Sequence, residues 1–236
     1  MLRHQRLRRL ARDQSGVSAI EFALLAPLLL LMFFGMVELS MAIMTQRRAS
    51  HGDAAIGDLA AQYGNPTYVS GVAQTTPAAI TPASMNDIFV AGDLIMAPYP
   101  TAPFETRTSS LVVDSSGNVR VNWSCITTAT STTKSMTAPL TAVAVTTAVP
   151  TGMLTSTAGD SIIMAESFYP YTSSLQYFIK TTLNLKNTYF FKPRASATVV
   201  GFYPGASAAV WNPSWDSASK AVSITASGVT CSYQSG

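Results

Sequence analysis

The sequence predicts an α+β fold, in which a long N-terminal transmembrane and stem helix precedes a periplasmic antiparallel sheet domain with a packed helix. Residues 22–37 form a run of sixteen positions without a charge or a hydrogen-bonding side chain. Apolar residues at helical spacing follow Pro82, and alternating apolar runs begin at Ser109. Together with the five arginines that precede Gly16, these features divide the chain into a basic leader (1–16), a transmembrane and stem helix (17–63) and an α+β domain (64–236).

The apolar segment is long enough to cross a membrane. Residues 19–44 exceed the roughly 20 helical residues that a hydrocarbon core of about 30 Å requires. A secretory signal has a shorter apolar core and a small-residue cleavage site after it. Five arginines precede the segment and only Arg47 and Arg48 follow it closely, which favours a cytoplasmic N-terminus. The pair Arg8-Arg9 leaves a twin-arginine export signal as an alternative.

Glu21 is a carboxylate near the start of this apolar segment. A charge within a spanning helix is costly and marks a functional site whose partner must be named. Alternatively, Glu21 lies at the headgroup boundary, where a negative charge suits the positive end of the helix dipole. The residue types alone leave both readings open.

The residues around Glu21 carry a family resemblance. Gly16 lies between the basic leader and the apolar helix, and Glu21 is the fifth residue after it, an arrangement that resembles the processing site of type IV pilin-like proteins. The order Glu21-Phe22-Ala23 followed by Pro27 and a leucine-rich run resembles, more narrowly, the TadE-like pseudopilins of the bacterial tight-adherence (Tad) pilus system. The TadE and TadG branches share this N-terminus, so the resemblance does not separate them.

This resemblance implies a site and a set of partners. A prepilin peptidase would cut after Gly16, and the new α-amine of Val17 would pair with Glu21 of the same or a neighbouring subunit. The expected partners are inner-membrane lipid, other pilins or pseudopilins, and Tad assembly proteins. The protein would be a single-pass inner-membrane protein with its C-terminal domain in the periplasm. Independently of the family, Pro27 is expected to bend the helix because it removes one backbone hydrogen bond.

The membrane helix is predicted to continue as a stem up to Gly64-Asn65-Pro66, which gives a stop signal. Its expected apolar stripe is Ala49, Gly52, Ile56, Leu59 and Tyr63. A second helix is predicted from Thr81-Pro82, with one face formed by Met85, Ile88, Phe89, Ile95, Met96 and Tyr99.

The remaining segments predict a sheet with one cross-link. Strands are expected at 109–113, 119–125, 161–169, 183–191, 199–203, 221–225 and 229–233, with a short helix at 175–182 and a long loop or weak strands at 126–150. Val119, Val121, Trp123 and Cys125 are expected on one face. Cys125 and Cys231 form an even pair in an oxidising compartment, which predicts a disulfide, with two separate buried thiols as the alternative.

The sequence does not favour an enzyme, and no cofactor or metal site is expected. The two histidines, His4 and His51, lie outside the sheet domain, so it offers neither a Ser–His pair nor a metal cluster. Asp160 and Glu166 could act as an acid–base pair only if their carboxylates lie close together. The simpler interpretation is that both are solvated residues at strand ends. Lys192-Pro193-Arg194 is interpreted as an exposed strand end, with anion binding as the alternative. The aromatic run 168–171 is interpreted as part of the core, with a contact surface as the alternative.

Two classes of function remain. The first is a minor pseudopilin that takes part in assembly of a Tad-type pilus for surface adherence. The second is an uncleaved, inner-membrane-anchored periplasmic binding or scaffold protein; a membrane-tethered hydrolase would require unusual acid–base groups to meet. Of the 15 basic and 12 acidic residues, five and one lie in the leader, so the rest of the chain is nearly neutral and no nucleic-acid partner is expected.

Overall fold

The computed structural model describes residues 16–63, 66–69, 72–77, 79–127, 136, 138–140, 149–194 and 221–234. The chain forms two compact units. Of the described residues, the first contains Gly16–Ile43 together with Thr172–Thr182, and the second contains those from Met44 to Tyr171 and from Leu183 onward.

Helix α1, Val17–Gln62, has 46 residues. The prediction of one helix over this range is confirmed. Residues 17–43 belong to the first unit and residues 44–62 to the second. The helix ends in a tight turn, in which the Tyr63 N–H donates to the Ala60 carbonyl at 3.2 Å, just before the predicted stop signal.

The other part of the first unit, Thr172–Thr182, contains no regular secondary structure. The predicted short helix at 175–182 is therefore wrong. Gln176 has a φ of 49°, in the left-handed region, which interrupts a right-handed helix. The next three backbone N–H groups donate to the Glu38 side chain.

Helix α2, Pro82–Met96, lies in the second unit and begins as predicted. The Ser84 N–H donates to the Thr81 hydroxyl at 3.2 Å, and the Thr81 N–H donates to the Ser84 hydroxyl at 2.9 Å. This reciprocal pair satisfies two of the donors that a helix start leaves free. The buried face consists of Pro82, Met85, Ile88, Phe89, Gly92 and Met96, while the predicted face residues Ile95 and Tyr99 are half-buried.

The described strands are β1 (Pro66–Val69), β2 (Val72–Pro77), β3 (Glu105–Val113), β4 (Val119–Thr127), β5 (Ser161–Tyr171), β6 (Leu183–Phe191), β7 (Ala221–Ala226) and β8 (Val229–Gln234). Among them, β1 and β2 form a separate pair, and six form an antiparallel sheet in the order β6-β5-β3-β4-β8-β7. Six predicted strands are thus confirmed, several of them longer than expected. The predicted strand at 199–203 lies outside the described residues, as does most of 126–150.

The hairpin between β3 and β4 follows from its turn residues. Gly117 adopts a φ of 82°, which suits glycine, and its N–H donates to the Asp114 carbonyl at 3.0 Å. The Asp114 carboxylate accepts the N–H groups of Ser116 and Asn118 and pairs with Arg120. Burial acts to raise the pKa of Asp114, but these hydrogen bonds and the Arg120 charge outweigh it and lower the pKa.

A bulge in β4 changes which of its side chains share a face of the sheet. Leu111 pairs with Val121, whereas the preceding Ser110 pairs with Trp123, so Asn122 is the extra residue. Cross-strand partners share a face, which places Trp123 and Cys125 on the face opposite Val121. The expectation that Val119, Val121, Trp123 and Cys125 share one face is wrong because the bulge shifts the alternation by one residue.

Both faces of the sheet are therefore covered. One carries a cluster of Leu111, Val121, Ile162 and Met164, on which Leu140, Val149, Met153, Leu154 and Phe190 pack. On the other, Cys125 pairs directly with Cys231, with Cα atoms 4.0 Å apart and a disulfide between them. The predicted disulfide between the hairpin strand and the C-terminal strand is confirmed. Helix α2 packs against β4, β7 and β8.

The outer part of α1 packs through small residues. Ala49 and Ile56 are fully buried, as predicted, but Leu59 is 38% exposed and the buried face continues instead through Ala60 and Ala61. A straight helix has 3.6 residues per turn, whereas an a/d pattern assumes 3.5. The buried face of the helix therefore continues from residue 56 to residue 60, and not to residue 59, the next a/d position. An added Cβ on Gly57 would lie 2.3 Å from the Phe191 ring and 3.0 Å from the Ala165 Cβ, so glycine permits close approach of the helix to β5 and β6.

Candidate membrane and assembly site

The predicted cleavage site lies where α1 begins. The Ile20 N–H donates to the Gly16 carbonyl at 3.1 Å, and the helix follows from Val17. A Cβ placed on Gly16 would meet no other described atom within 4 Å. No contact with the described residues therefore requires glycine at this position.

Glu21 lies on an exposed, apolar stretch of α1. Its neighbours Ile20 and Phe22 are 64% and 67% exposed, and Leu24 is 75% exposed. Among the described residues, no hydrogen bond or ion pair engages Glu21, so the structure does not bring it to a partner. Pro27 lies inside the helix and has no N–H to offer the Ala23 carbonyl.

An 18-residue window of α1 has a mean hydropathy of 2.3 and is wholly unburied. By length and apolarity, α1 is an N-terminal helix that could span a membrane, which fits a single-pass anchor. The side chains of residues 22–37 are the surface that such a helix offers to lipid or to other helices.

Glu38, which follows this apolar run, is the site residue that the sequence reasoning missed. It is 1% exposed, and its carboxylate accepts the backbone N–H groups of Tyr177, Phe178 and Ile179 at 2.6, 2.9 and 2.9 Å. The signal was available, because a carboxylate in an apolar helix requires a partner. The partner could not be named from sequence because it is backbone from residues about 140 positions away.

The loop that binds Glu38 is itself apolar and exposed. Phe34 and Tyr177 have ring centroids 6.1 Å apart, and a Cβ on Gly35 would approach the Phe178 ring to 3.0 Å. Leu175, Tyr177 and Phe178 nevertheless remain 47%, 55% and 49% exposed. The first unit thus presents a helix and a loop that share one apolar surface.

A second buried carboxylate, Asp53, lies where α1 packs on the sheet. It is fully buried, and neither of its carboxylate oxygens has a close hydrogen-bond partner among the described residues. Burial raises the pKa of Asp53 to about 8; the Ser167 hydroxyl acts against this shift and the Glu166 carboxylate adds to it. Asp53 is therefore neutral at pH 7 in the folded protein.

The structure does not bring together the acid–base pair considered from sequence. Asp160 accepts the Thr155 N–H at 2.7 Å and pairs with Lys192, whereas Glu166 pairs with Arg107 at 2.8 Å. The Arg194 guanidinium pairs with Asp58 of α1, so the two cations of the 192–194 segment already have carboxylate partners. Phe168, Tyr169 and Tyr171 are at most 6% exposed, as expected for core residues.

The described part of the chain shows no metal-binding group, and a cavity there lacks the candidate catalytic residues. No group of three or more His, Cys, Asp or Glu residues has a metal-binding arrangement there. An open cavity of about 510 Å³ in the second unit is lined by Arg47, Arg48 and His51 of α1 and by Ile95, Pro98 and Tyr99. The Arg48 guanidinium donates to the Ile95 carbonyl at 3.2 Å, and the cavity contains none of the residues considered for catalysis.

These features define a protein with one N-terminal helix of membrane-spanning length and an α+β domain closed by a disulfide. The family described as TadE-like protein matches residues 16–52, which include Gly16, Glu21, Pro27 and Glu38. The resemblance stated from the N-terminal residues is thereby confirmed for this segment. That family is a pilus-associated structural family, so the match supports a Tad pilus-associated protein. No curated protein and no solved structure matches the chain significantly.

Proposed function

We propose that this chain is a minor pseudopilin that takes part in assembly of a Tad-type pilus for surface adherence. A prepilin peptidase removes residues 1–16, and the mature helix remains in the inner membrane with the α+β domain in the periplasm. The observation that supports this most directly is the TadE-like match over residues 16–52, on a helix whose apolar window contains no buried residue.

Assembly in this proposal proceeds by helix packing. Residues 22–37 leave lipid and bury against neighbouring pilins or pseudopilins, with Tad assembly proteins acting on the inserted subunit. Glu21, exposed and without a described partner, pairs with the α-amine of Val17, which is positively charged near neutrality. Burial of this pair between subunits requires both charges, because either one alone in an apolar interface is costly.

The leader is tested by mass spectrometry of the native N-terminus in pilus-producing cells. We expect the mature chain to start at Val17. Gly16→Trp should retain the leader, because a peptidase subsite fitted to glycine does not admit an indole, while Gln14→Ala should be processed normally. Recovery of the unmodified protein with residues 1–16 attached would favour the uncleaved scaffold instead.

The pairing is tested by Glu21→Gln. The variant should insert into the membrane at the wild-type level, because it removes a buried charge, but should form few or no pili because the amine loses its partner. Ser18→Ala, one turn earlier and also exposed, is the matched control and should assemble normally. Wild-type pilus yield from Glu21→Gln would contradict the pairing mechanism.

A further inference from the structure

The loop Thr172–Thr182 belongs to the same compact unit as the apolar part of α1. It connects β5 to β6 and contacts the helix at Phe34, Gly35 and Glu38. Three of its apolar side chains, Leu175, Tyr177 and Phe178, are about half exposed. A cluster of exposed apolar side chains beside a membrane-spanning surface indicates a further contact.

The position of Glu38 along the helix sets the depth of this loop. If the hydrocarbon core begins at Ala19, about 20 residues at 1.5 Å per residue cross its roughly 30 Å. The outer boundary then falls at Glu38. The loop residues bound to Glu38 therefore lie at this boundary.

Backbone that is not helical is tolerated at membrane depth only where the protein satisfies its polar groups. The Glu38 carboxylate does this for three consecutive N–H groups, those of residues 177–179. The Ser173 hydroxyl accepts two more, from Leu175 and Gln176, at 3.3 and 3.4 Å. Five consecutive N–H groups of the loop are thus bonded within the first unit.

We propose that the loop Thr172–Thr182 is a second membrane contact, with Leu175, Tyr177 and Phe178 inserted among lipids at the outer boundary of the bilayer. Aromatic side chains favour this depth, and the exposed Lys180 can reach the headgroup phosphates. Glu38 is the positioning residue that holds the loop against the helix. The proposal rests on the membrane anchoring in the proposed function.

The test uses the full chain in vesicles of equal parts phosphatidylethanolamine and phosphatidylglycerol. A nitroxide is attached to Leu175→Cys or Tyr177→Cys; the native cysteines are joined in a disulfide and do not react. Collision with apolar molecular oxygen and with the polar nickel complex NiEDDA is measured. We expect the oxygen-to-nickel ratio to be several-fold higher at both loop sites than at Leu94→Cys, a 73% exposed apolar position on α2.

Two results would overturn the proposal. A ratio at the loop equal to that at Leu94 would place the loop in water, and exclusion of both reagents would place it against a second protein chain. A label at Leu28, which is 55% exposed in the middle of the apolar run, tests the anchoring separately. A lipid-exposed label there together with a water-exposed loop would refute the loop contact and leave the anchored pseudopilin standing.

The role of Glu38 has its own readout. In the Leu175-labelled chain, Glu38→Gln keeps the side-chain size but weakens the acceptor for three N–H groups. We expect a sharper nitroxide spectrum, which indicates greater mobility, and a lower oxygen-to-nickel ratio. The same measurements in the Glu21→Gln background should match those of the parent. An unchanged spectrum and ratio in Glu38→Gln would show that Glu38 does not position the loop.

Discussion

At the scale of single residues, α1 carries two buried carboxylates with opposite surroundings. Glu38 receives three backbone N–H donors, which suit a carboxylate anion. Asp53 has no close hydrogen-bond partner among the described residues and is fully buried. An anion in the second environment is costly, so Asp53 remains protonated when the protein is folded at neutral pH.

Asp53 should make the folded state less stable as pH rises. Its pKa is about 8 when folded, against an ordinary 3.8, so between pH 4 and 8 the unfolded chain releases a proton that the folded chain retains. The contribution of Asp53 to the free energy of unfolding is fully present below its pKa in the unfolded chain. It is lost as pH rises toward its pKa in the folded chain, by at most about 1.4 kcal/mol per pH unit.

Asp53→Asn should abolish this pH dependence because the amide is neutral throughout. Unfolding of the full chain in detergent micelles, followed by near-ultraviolet circular dichroism from pH 5 to 8, measures it. The variant should be more stable than the parent at pH 8, by an amount that shrinks toward pH 5. Asp87→Asn, at an exposed position on α2, is the control and should keep the parental slope. Parallel slopes for Asp53→Asn and the parent would contradict the assignment.

At the scale of elements, the contact between α1 and the sheet depends on a missing side chain. The nearest atoms to a Cβ on Gly57 belong to the Phe191 ring, at 2.3 and 2.5 Å. In the sequence, the glycines at 52 and 57 indicate a weak stem, because glycine lowers helix propensity. In the structure, the same glycine allows the helix and the sheet to approach closely.

Gly57→Ala should therefore destabilise the protein despite better helix propensity. Overpacking typically costs about 1–3 kcal/mol, against a propensity gain of about 1 kcal/mol. In a Phe191→Ala background the clash with the ring is absent and only the 3.0 Å approach to the Ala165 Cβ remains, so the same substitution should cost markedly less. Chemical unfolding of the parent, the two single variants and the double variant gives the coupling free energy between positions 57 and 191. A coupling of zero would refute the close contact.

At the scale of the whole molecule, the disulfide reports on the compartment of the domain. Cys125 and Cys231 lie 106 residues apart and close a loop that contains β5, β6 and β7. Cross-linking a loop of this length constrains the unfolded chain by about 4–5 kcal/mol in the chain-entropy account. Such disulfides form in oxidising compartments, so the bond is expected in cells only if the domain is exported.

In intact cells, we expect both cysteines to be oxidised. Acid-quenched samples treated with a maleimide polymer should show no mass shift until a reductant is added, and then a shift of two polymers. Cys231→Ser leaves one cysteine and should shift by one polymer without reduction, which verifies the labelling. A shift of the parental chain without reductant would place the domain in a reducing compartment and contradict the proposed orientation.

The sequence by itself determined the features that local preferences control. The apolar run predicts the type of α1, the Gly64-Asn65-Pro66 stop predicts its end, and Thr81-Pro82 predicts the start of α2. The alternating runs at 109–113 and 119–125 predict the two strands of the central hairpin. The disulfide could be predicted because the chain has two cysteines, each in a strand-like run.

Only the tertiary structure decided the features that depend on distant residues. The bulge at Asn122 reverses the face of Trp123 because the neighbouring strand sets the register. Residues 175–182 are not a helix because Gln176 adopts a left-handed φ, and the three N–H groups that follow it bind Glu38, about 140 positions earlier. The environments of Asp53 and Gly57 arise where α1 meets β5 and β6. Sequence periodicity reports which residues prefer burial, but the partner that buries them is chosen by contacts across the chain.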